Sequence, residues 1–258
     1  MSELLIERSG TTLTLTLDRP EKMNALGAPL VDSLLAQVNA AYLDGTRLMV
    51  FRGAGKNFSA GFDMGGYDTQ SEGDLVLRFI RIEQLLQAVR HAPFDTLALA
   101  HGRNFGAGVD LFCCCARRVA TADATFRMPG LKFGLVLGSR VFAERVGAER
   151  ARQVLQVSQT FDASRGESWG FVTAIAASDQ WPSVVENAER TCAELSAEAS
   201  GRLFRVTSPE DHRDADLAEL VRSASQPGLK ARIAAYLAKP VAPGAAAAAT
   251  TRGPISQE

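Results

Sequence analysis

"DTLALAHGRNFGAGVDLFCCCARRVA", residues 95–120, passes from a short apolar run through a loop with three glycines into a longer apolar run without proline. The first run reads as a buried strand, and the second as a buried helix that continues into another strand at "RRVA". The bare triplet Gly106-Ala107-Gly108 marks the start of that helix. There the first N–H groups lack intrahelical partners, and the helix dipole favours negative charge. One carboxylate, Asp110, stands in the apolar helix, where an isolated charge carries a desolvation cost.

The flanking sequence repeats this alternation. "LLIERSGTTLTLTLDRP" reads as two short strands about a Ser-Gly turn, because "TTLTLTL" alternates with period two, and Pro20 ends it. "GAPLVDSLLAQVNAAYLDG", residues 27–45, is an amphipathic helix closed by glycine, "RLMVFRG" is a buried strand, and a second helix covers 74–91. Further on, "SRGES" gives a capping box from Ser164 to Glu167, and "WGFVTAIA" returns to a strand after Gly170. Residues 182–238 read as a charged, mainly helical appendage, and the low-complexity tail 241–258 as disordered. Alternating strands and helices favour an α/β fold with parallel strands, whose loops at the strands' carboxyl ends carry the site. Two glycine-rich loops fit that position: "GAGKNFSAGFDM" after "LMVFR", and "GRNFGAG" after "TLALA".

Composition narrows the function. A chain of 258 residues can bury a large core, and 28 Lys+Arg against 29 Asp+Glu give a net charge of -1 without basic runs. Nucleic acid is therefore not an expected partner. No segment approaches the roughly 18 consecutive apolar residues of a membrane span, and the acidic N-terminus lacks the order of a signal peptide. A cytoplasmic protein without membrane contact is expected. Cys113, Cys114 and Cys115 are adjacent, so on a helix they diverge; together with Cys192 they read as reduced core residues. His91, His101 and His212 show no ligand spacing, so no metal is expected.

Neither glycine-rich loop has the form of a phosphate-binding loop. Bare backbone can also offer N–H groups to a developing oxyanion, one donor from each of two facing loops. At this point "LDRPEKMNAL", "FRGAGKNFSAGFDM", "AHGRNFGAGVDLFCCCARRVATADATFRMPGLKFGL" and "ASRGESWGFV" together resemble the enoyl-CoA hydratase/isomerase, or crotonase, superfamily over roughly residues 3–240. The resemblance implies a spiral of ββα units over residues 1–198, a C-terminal helical oligomerisation region over 199–240, a homotrimer or homohexamer, and an acyl-CoA thioester as ligand. No cofactor is implied beyond the coenzyme A carried by the substrate.

Transferred position by position, the resemblance makes the Phe62 N–H and the Ala107 N–H the two oxyanion donors. It lays Lys22, Met23 and Ala25 along the coenzyme A, sets Ala60 near the adenine, and adds Gly61, Asp63 and Gly106 to the binding set. Asp63 also reads as a local turn carboxylate. Of the two glutamates a hydratase of the family uses, the first falls on Asp110, and the second falls on Gly130, which has no carboxylate. That gap argues against ordinary hydration, and the single-acid isomerases commonly keep the position that is empty here. A dehalogenase-type aspartate is absent from Leu137-Gly138-Ser139.

Three readings stay open: an enolate-stabilising hydratase/isomerase-like enzyme, a divergent CoA-thioester decarboxylase or hydrolase, and a non-catalytic CoA-binding or assembly protein. Asp110 acts as acid or base, or merely pairs with a neighbour such as Arg103. Glu83 is a replacement acid or part of a solvated helix face. Arg127 and Lys132 hold a carboxylated acyl group or are surface charge, and Phe105, Phe126 and Phe133 read as packing.

Overall fold

The computed structural model describes residues 2–207 and 210–238. A hairpin of β1 (Leu4–Ser9) and β2 (Thr12–Leu17) opens the chain, as the period-two pattern requires. Then α1 (Ala28–Ala41) leads to β3 (Leu48–Gly53), and α2 (Glu72–Arg90) leads to β4 (Asp95–Ala100). β5 (Arg103–Phe105), α3 (Ala107–Cys114), β6 (Arg117–Ala120) and β7 (Thr125–Arg127) follow in quick succession. The next elements are α4 (Ser139–Val146), α5 (Ala148–Val157), β8 (Phe161–Asp162), α6 (Ala163–Ser168) and β9 (Ala174–Ile175). Four helices complete the described chain: α7 (Trp181–Ala193), α8 (Ala197–Val206), α9 (Arg213–Ala224) and α10 (Leu229–Leu237).

The main sheet has the order β1-β2-β3-β4-β6-β9 and is antiparallel only between β1 and β2. All six residues of β4 are buried, as expected of a parallel strand covered on both faces. One face packs on α1, α2 and α3; the other, through Leu48, Val50, Leu97, Leu99 and Val119, packs on Ala188 of α7. The smaller sheet, β5-β7-β8, is tied to α3 and α4 by five phenylalanines, Phe112, Phe126, Phe142, Phe161 and Phe171, with paired ring centroids 5.1–6.1 Å apart. Edge-to-face and tilted contacts of this kind add to the area they bury.

Some local expectations change. The second helix starts two residues early, because Ser71 and Asp74 form a reciprocal capping box. The cap of α6 is Asp162, whose Oδ1 accepts from Arg165 N at 2.8 Å, and Ser164 lies inside the helix, so the Ser164–Glu167 box is not formed. "WGFVTAIA" yields only the two-residue β9, since Phe171 and Val172 turn inward to the core. The glycine expected to close α1 sits four residues past its end, as the last residue of a turn. Residues 182–238 are mainly helical where described, and they pack back onto the core: α9 lies on α2, and α10 on the 3-10 turn Gly130–Phe133. The tail 241–258 lies outside the described residues. No described helix is long and apolar enough to cross a membrane.

Candidate active site

The two glycine-rich loops meet at the carboxyl ends of β3 and β4. In the first, Leu26 N donates to Gly61 O at 2.7 Å and Leu26 O accepts from Asp63 N at 3.3 Å. This is a parallel bridge centred on Leu26 and Phe62. Its hydrogen bonds belong to the residues on either side of Phe62, so Phe62's own N–H points to the opposite side. In the second loop, Gly106 caps α3 with φ +47°, leaving Ala107 as the first helical residue. Among the described residues neither the Phe62 N–H nor the Ala107 N–H has a hydrogen-bond partner. The loops touch at Gly61, where φ is +76° and a Cβ would lie 2.8 Å from Ala107 N and 3.2 Å from Gly108 N. Only a residue without a side chain allows this approach.

Side chains fix the geometry. Phe62 is held between the Phe79 ring, stacked at 4.1 Å, and the Arg78 guanidinium, 4.2 Å from its centroid. Arg78 also donates to Asp63 O at 2.6 Å. Ser59 Oγ accepts from Gly61 N at 3.1 Å and donates to Asn24 O at 2.8 Å. Buried Asn24 in turn donates to Ala54 O and Asn57 O, both at 2.8 Å. Arg78, Phe79, Ser59 and Asn24 gave no sequence signal beyond the position of Ser59 and Asn24 within recognised motifs, because their roles depend on which face of α2 and which loop they meet.

Asp63 is a structural carboxylate. Its Oδ2 pairs with Arg19 at 3.0 Å, and its Oδ1 accepts from Gly65 N at 2.8 Å. Burial acts to raise its pKa, but the Gly65 N–H and Arg19 outweigh burial and hold it below the usual carboxylate range. The turn reading of Asp63 is the one the hydrogen bonds follow.

A cavity of about 230 Å³ opens beside the two free N–H groups. Of the residues expected in the site, Met23, Ala60, Phe62, Gly106, Ala107, Asp110 and Gly130 line it. Lys22, Ala25, Gly61 and Asp63 do not: Lys22 is exposed on the adjoining turn, Ala25 is buried, Gly61 packs against the backbone of Phe105 and Ala107, and Asp63 pairs with Arg19. Phe105, Phe133 and Arg127 also face the cavity, whereas Phe126 belongs to the aromatic cluster and Lys132 binds Gln156 O at 3.0 Å. Phe79, Leu135 and Tyr236 are part of its largely apolar wall.

Asp110 is 3% exposed, and its Oδ1 has no hydrogen-bond partner among the described residues. Burial first, and the charge of Glu83 second, push its carboxyl well above the usual range. The pairing with Arg103 is not formed: that guanidinium rests 5.2 Å from the Phe105 centroid. Glu83 is not part of this cavity. It is buried on α2, on the far side of the turn that follows Gly134, where its Oε1 accepts from Gln87 Nε2 at 2.7 Å. At Gly130 a Cβ would meet Leu135 O at 3.2 Å, so the position is bare and bordered by backbone.

Cys113, Cys114 and Cys115 are buried thiols, and burial pushes Cys113 and Cys115 up to about 12. They are poor nucleophiles at neutral pH. The arrangement that can act chemically is thus two converging backbone donors and one carboxyl in an apolar pocket.

The profile of the enoyl-CoA hydratase/isomerase family matches residues 7–224. A "Probable enoyl-CoA hydratase echA6" of Mycobacterium tuberculosis is 33% identical over 153 residues, which cover 58% of this chain and 61% of that protein. The match therefore spans about three fifths of that relative's length. The Mycobacterium leprae protein of the same name is 32% identical over 179 residues, 67% of this chain and 70% of that one. A crystal structure from Bordetella parapertussis with an enoyl-CoA hydratase/isomerase designation superposes with a TM-score of 0.91 at 55% identity, covering 93% of this chain and 100% of the other. An enoyl-CoA hydratase structure from Bacillus halodurans, with a TM-score of 0.81 at 22% identity over 91% of this chain and 100% of that one, is alike in fold.

Proposed function

The chain belongs to the enoyl-CoA hydratase/isomerase family, and from that premise we propose that it moves a proton at the carbon beside an acyl-CoA thioester carbonyl, with Asp110 as the acid-base group. The thioester oxygen sits between the Phe62 and Ala107 N–H groups, and the enolate formed when the proton leaves places its negative charge there. Donors fixed before the reaction stabilise this charge without reorganising, and loss of one such donor typically costs about 10²–10³ in kcat. The first turn of α3 adds its dipole to the Ala107 donor. Met23 and Ala60, at the cavity mouth, are the members of the expected coenzyme A set that face it, and Lys22 stands exposed on the same turn.

The observation that carries this reading is that both unpartnered N–H groups and the buried Asp110 carboxyl line one apolar cavity. With Gly130 bare, a single carboxyl has to take up the proton and return it. A shift of a double bond needs only that, since the proton leaves one carbon and returns to another; adding water needs a second group to activate the water. Allylic isomerisation of an enoyl-CoA is thus the favoured reaction within the enolate chemistry, with Asp110 serving in place of the acid that the single-acid isomerases commonly keep at the position of Gly130.

The test is a mass-spectrometric assay of 2-enoyl, 3-enoyl, β-keto and malonyl-type CoA thioesters in heavy water. The expected outcome is deuterium at the carbon beside the thioester and interconversion of the enoyl isomers. Asp110→Asn is expected to lower kcat by about 10²–10⁴-fold while acyl-CoA still binds. Addition of water abolished by the same substitution would restore the hydratase reading. Loss of carbon dioxide or of free coenzyme A would favour a decarboxylase or hydrolase, and tight binding without any product would favour a non-catalytic CoA-binding protein.

A further inference from the structure

Behind the acyl cavity lies a second cavity of about 200 Å³, between α2, α4 and α9. The two are divided by the turn Leu137-Gly138-Ser139: Leu137 and Ser139 line both, and Gly138 lines the outer one. Gly138 has φ +63°, and a Cβ there would overlap the Asp110 carboxylate. A side chain is therefore excluded twice, by backbone conformation and by contact. A single bare residue separates Asp110 from the outer cavity, and on the wall of that cavity stands Glu83, 6% exposed.

The charges around this pair are engaged with other groups: in the inner cavity Arg103 rests on the Phe105 ring and Arg127 donates to Ser158 O at 3.2 Å. From α2, Arg90 pairs with Glu144 of α4 at 2.7 Å; from α4, Arg140 pairs with Asp216 of α9 at 2.7 Å. Arg213, at the start of α9, pairs with Asp211 at 2.6 Å, and His212 lies 3.5 Å from Glu210. Glu219 of α9 pairs with Arg222 at 3.1 Å, His91 at the end of α2 has partners of its own, and α3 presents the uncharged thiol of Cys114. Among the described residues, no cation lies within ion-pair distance of Glu83 or of Asp110. Two buried carboxyls on either side of Gly138 without a counter-cation cannot both be charged cheaply.

We propose that Glu83 is the proton-relay partner of Asp110, exchanging the shared proton with solvent through the outer cavity while an acyl chain fills the inner one. The proposal rests on the enolate reading of the acyl cavity. In the resting pair the proton sits on Asp110, the more deeply buried group. Transfer of that proton from the Asp110 carboxyl past Gly138 to the Glu83 carboxylate, carried by water of the outer cavity because the two carboxyls are not hydrogen-bonded to each other, leaves Asp110 charged and able to act as a base. Asp110 then takes the proton from the substrate carbon, the C–H electron pair becomes the enolate, and Asp110 returns the proton to the product carbon. Glu83 gives its proton back to Asp110, or to water of the outer cavity, as product leaves. Glu83 touches no substrate and acts through Asp110.

Two readouts on the full chain test this with Glu83→Gln and Glu83→Asp. The first is substrate-free: the Asp110 carboxyl is titrated by carbon-13 NMR, with Asp110→Asn identifying its signal. In Glu83→Gln the midpoint is expected to move to lower pH, because the neighbouring negative charge is gone. The second is the pH profile of enoyl-CoA isomerisation. Glu83→Gln is expected to lower kcat at least about tenfold with KM unchanged, and to shift the acid limb of the profile, and Glu83→Asp is expected to recover part of both. An Asp110 midpoint that does not move in Glu83→Gln overturns the relay, whatever turnover does. So does a Glu83→Gln profile that matches the unmodified chain. A moved midpoint in a chain that turns over no thioester would uphold the shared proton and remove the enolate reading instead.

Discussion

At the scale of single residues, the site is built by taking polar groups away from their usual partners. Among the described residues the Phe62 and Ala107 N–H groups have no partner, because the bridge to Leu26 and the start of α3 each leave one donor unused. Asp110 is buried without a counter-charge, and this has a cost that depends on pH. An acid whose folded pKa lies above its unfolded value, about 3.9 for aspartate, contributes stability that is fully present below the unfolded value. That stability is lost as pH rises through the folded pKa, because the native state binds the proton more tightly than the unfolded chain. Glu83 is raised in the same sense, chiefly by burial and further by Asp216, and reinforces the trend. Asp110→Asn is therefore expected to melt at increasingly higher temperature than the unmodified chain as pH is raised from about 4 to 8, as followed by circular dichroism. A gap that stays constant with pH would mean that Asp110 is not protonated in the fold. The triplet before "VDLFCCC" and the lone acid were legible beforehand as a bare helix entrance and an isolated carboxylate, and the resemblance to the family added Phe62 and Ala107 as expected donors. The clamp of Arg78 and Phe79 on Phe62 was not legible, since nothing in the local pattern of α2 tells which loop its face will meet.

At the scale of elements, the decisive contact is the loop after β3 pressed against the first turn of α3. Gly61 is the hinge of that contact, and Gly61→Ala would bring a Cβ to 2.8 Å from Ala107 N in a left-handed backbone. Separation of the two donors is expected to lower kcat/KM about 10²–10³-fold, with KM for the thioester rising less than kcat falls; steady-state kinetics beside a melting curve will distinguish this from simple unfolding. The helices and strands were readable where hydrophobic period and length agreed, as in β2, α1 and β4. They were misread where side-chain capping decided the ends. Asp162, not Ser164, accepts the Arg165 N–H at the start of α6, because Asp162 is the residue that leaves β8 in extended conformation with its carboxylate over the first turn. The strand expected in "WGFVTAIA" forms but is confined to Ala174–Ile175, because β6 offers it only Val119 and Ala120 as partners, while Phe171 is claimed by the aromatic cluster.

At the scale of the whole molecule, five phenylalanines from α3, β7, α4, β8 and the turn before β9 lock the small sheet to the helix that carries Ala107 and Asp110. Phe126 is wholly buried among them, and Phe126→Ala is expected to cost about 3–5 kcal/mol in denaturant unfolding; a loss below about 1 kcal/mol would show that the cluster collapses to refill the space. The α/β class followed from alternation, whereas the second sheet did not, because its strands have only two or three residues and carry no periodicity of their own. The last wall of the acyl cavity comes from α10, where Tyr236 packs on Phe133 at 5.3 Å, Arg232 donates to Phe133 O at 3.0 Å, and Lys230 reaches back to Gln70 O at 2.9 Å. A polypeptide is made from its N-terminus, so both backbone donors have left the ribosome well before this helix does. For that interval the nascent chain carries an unroofed greasy cleft, and its maturation into a binding-competent protein is timed by the emergence of a helix that contributes neither donor nor acid.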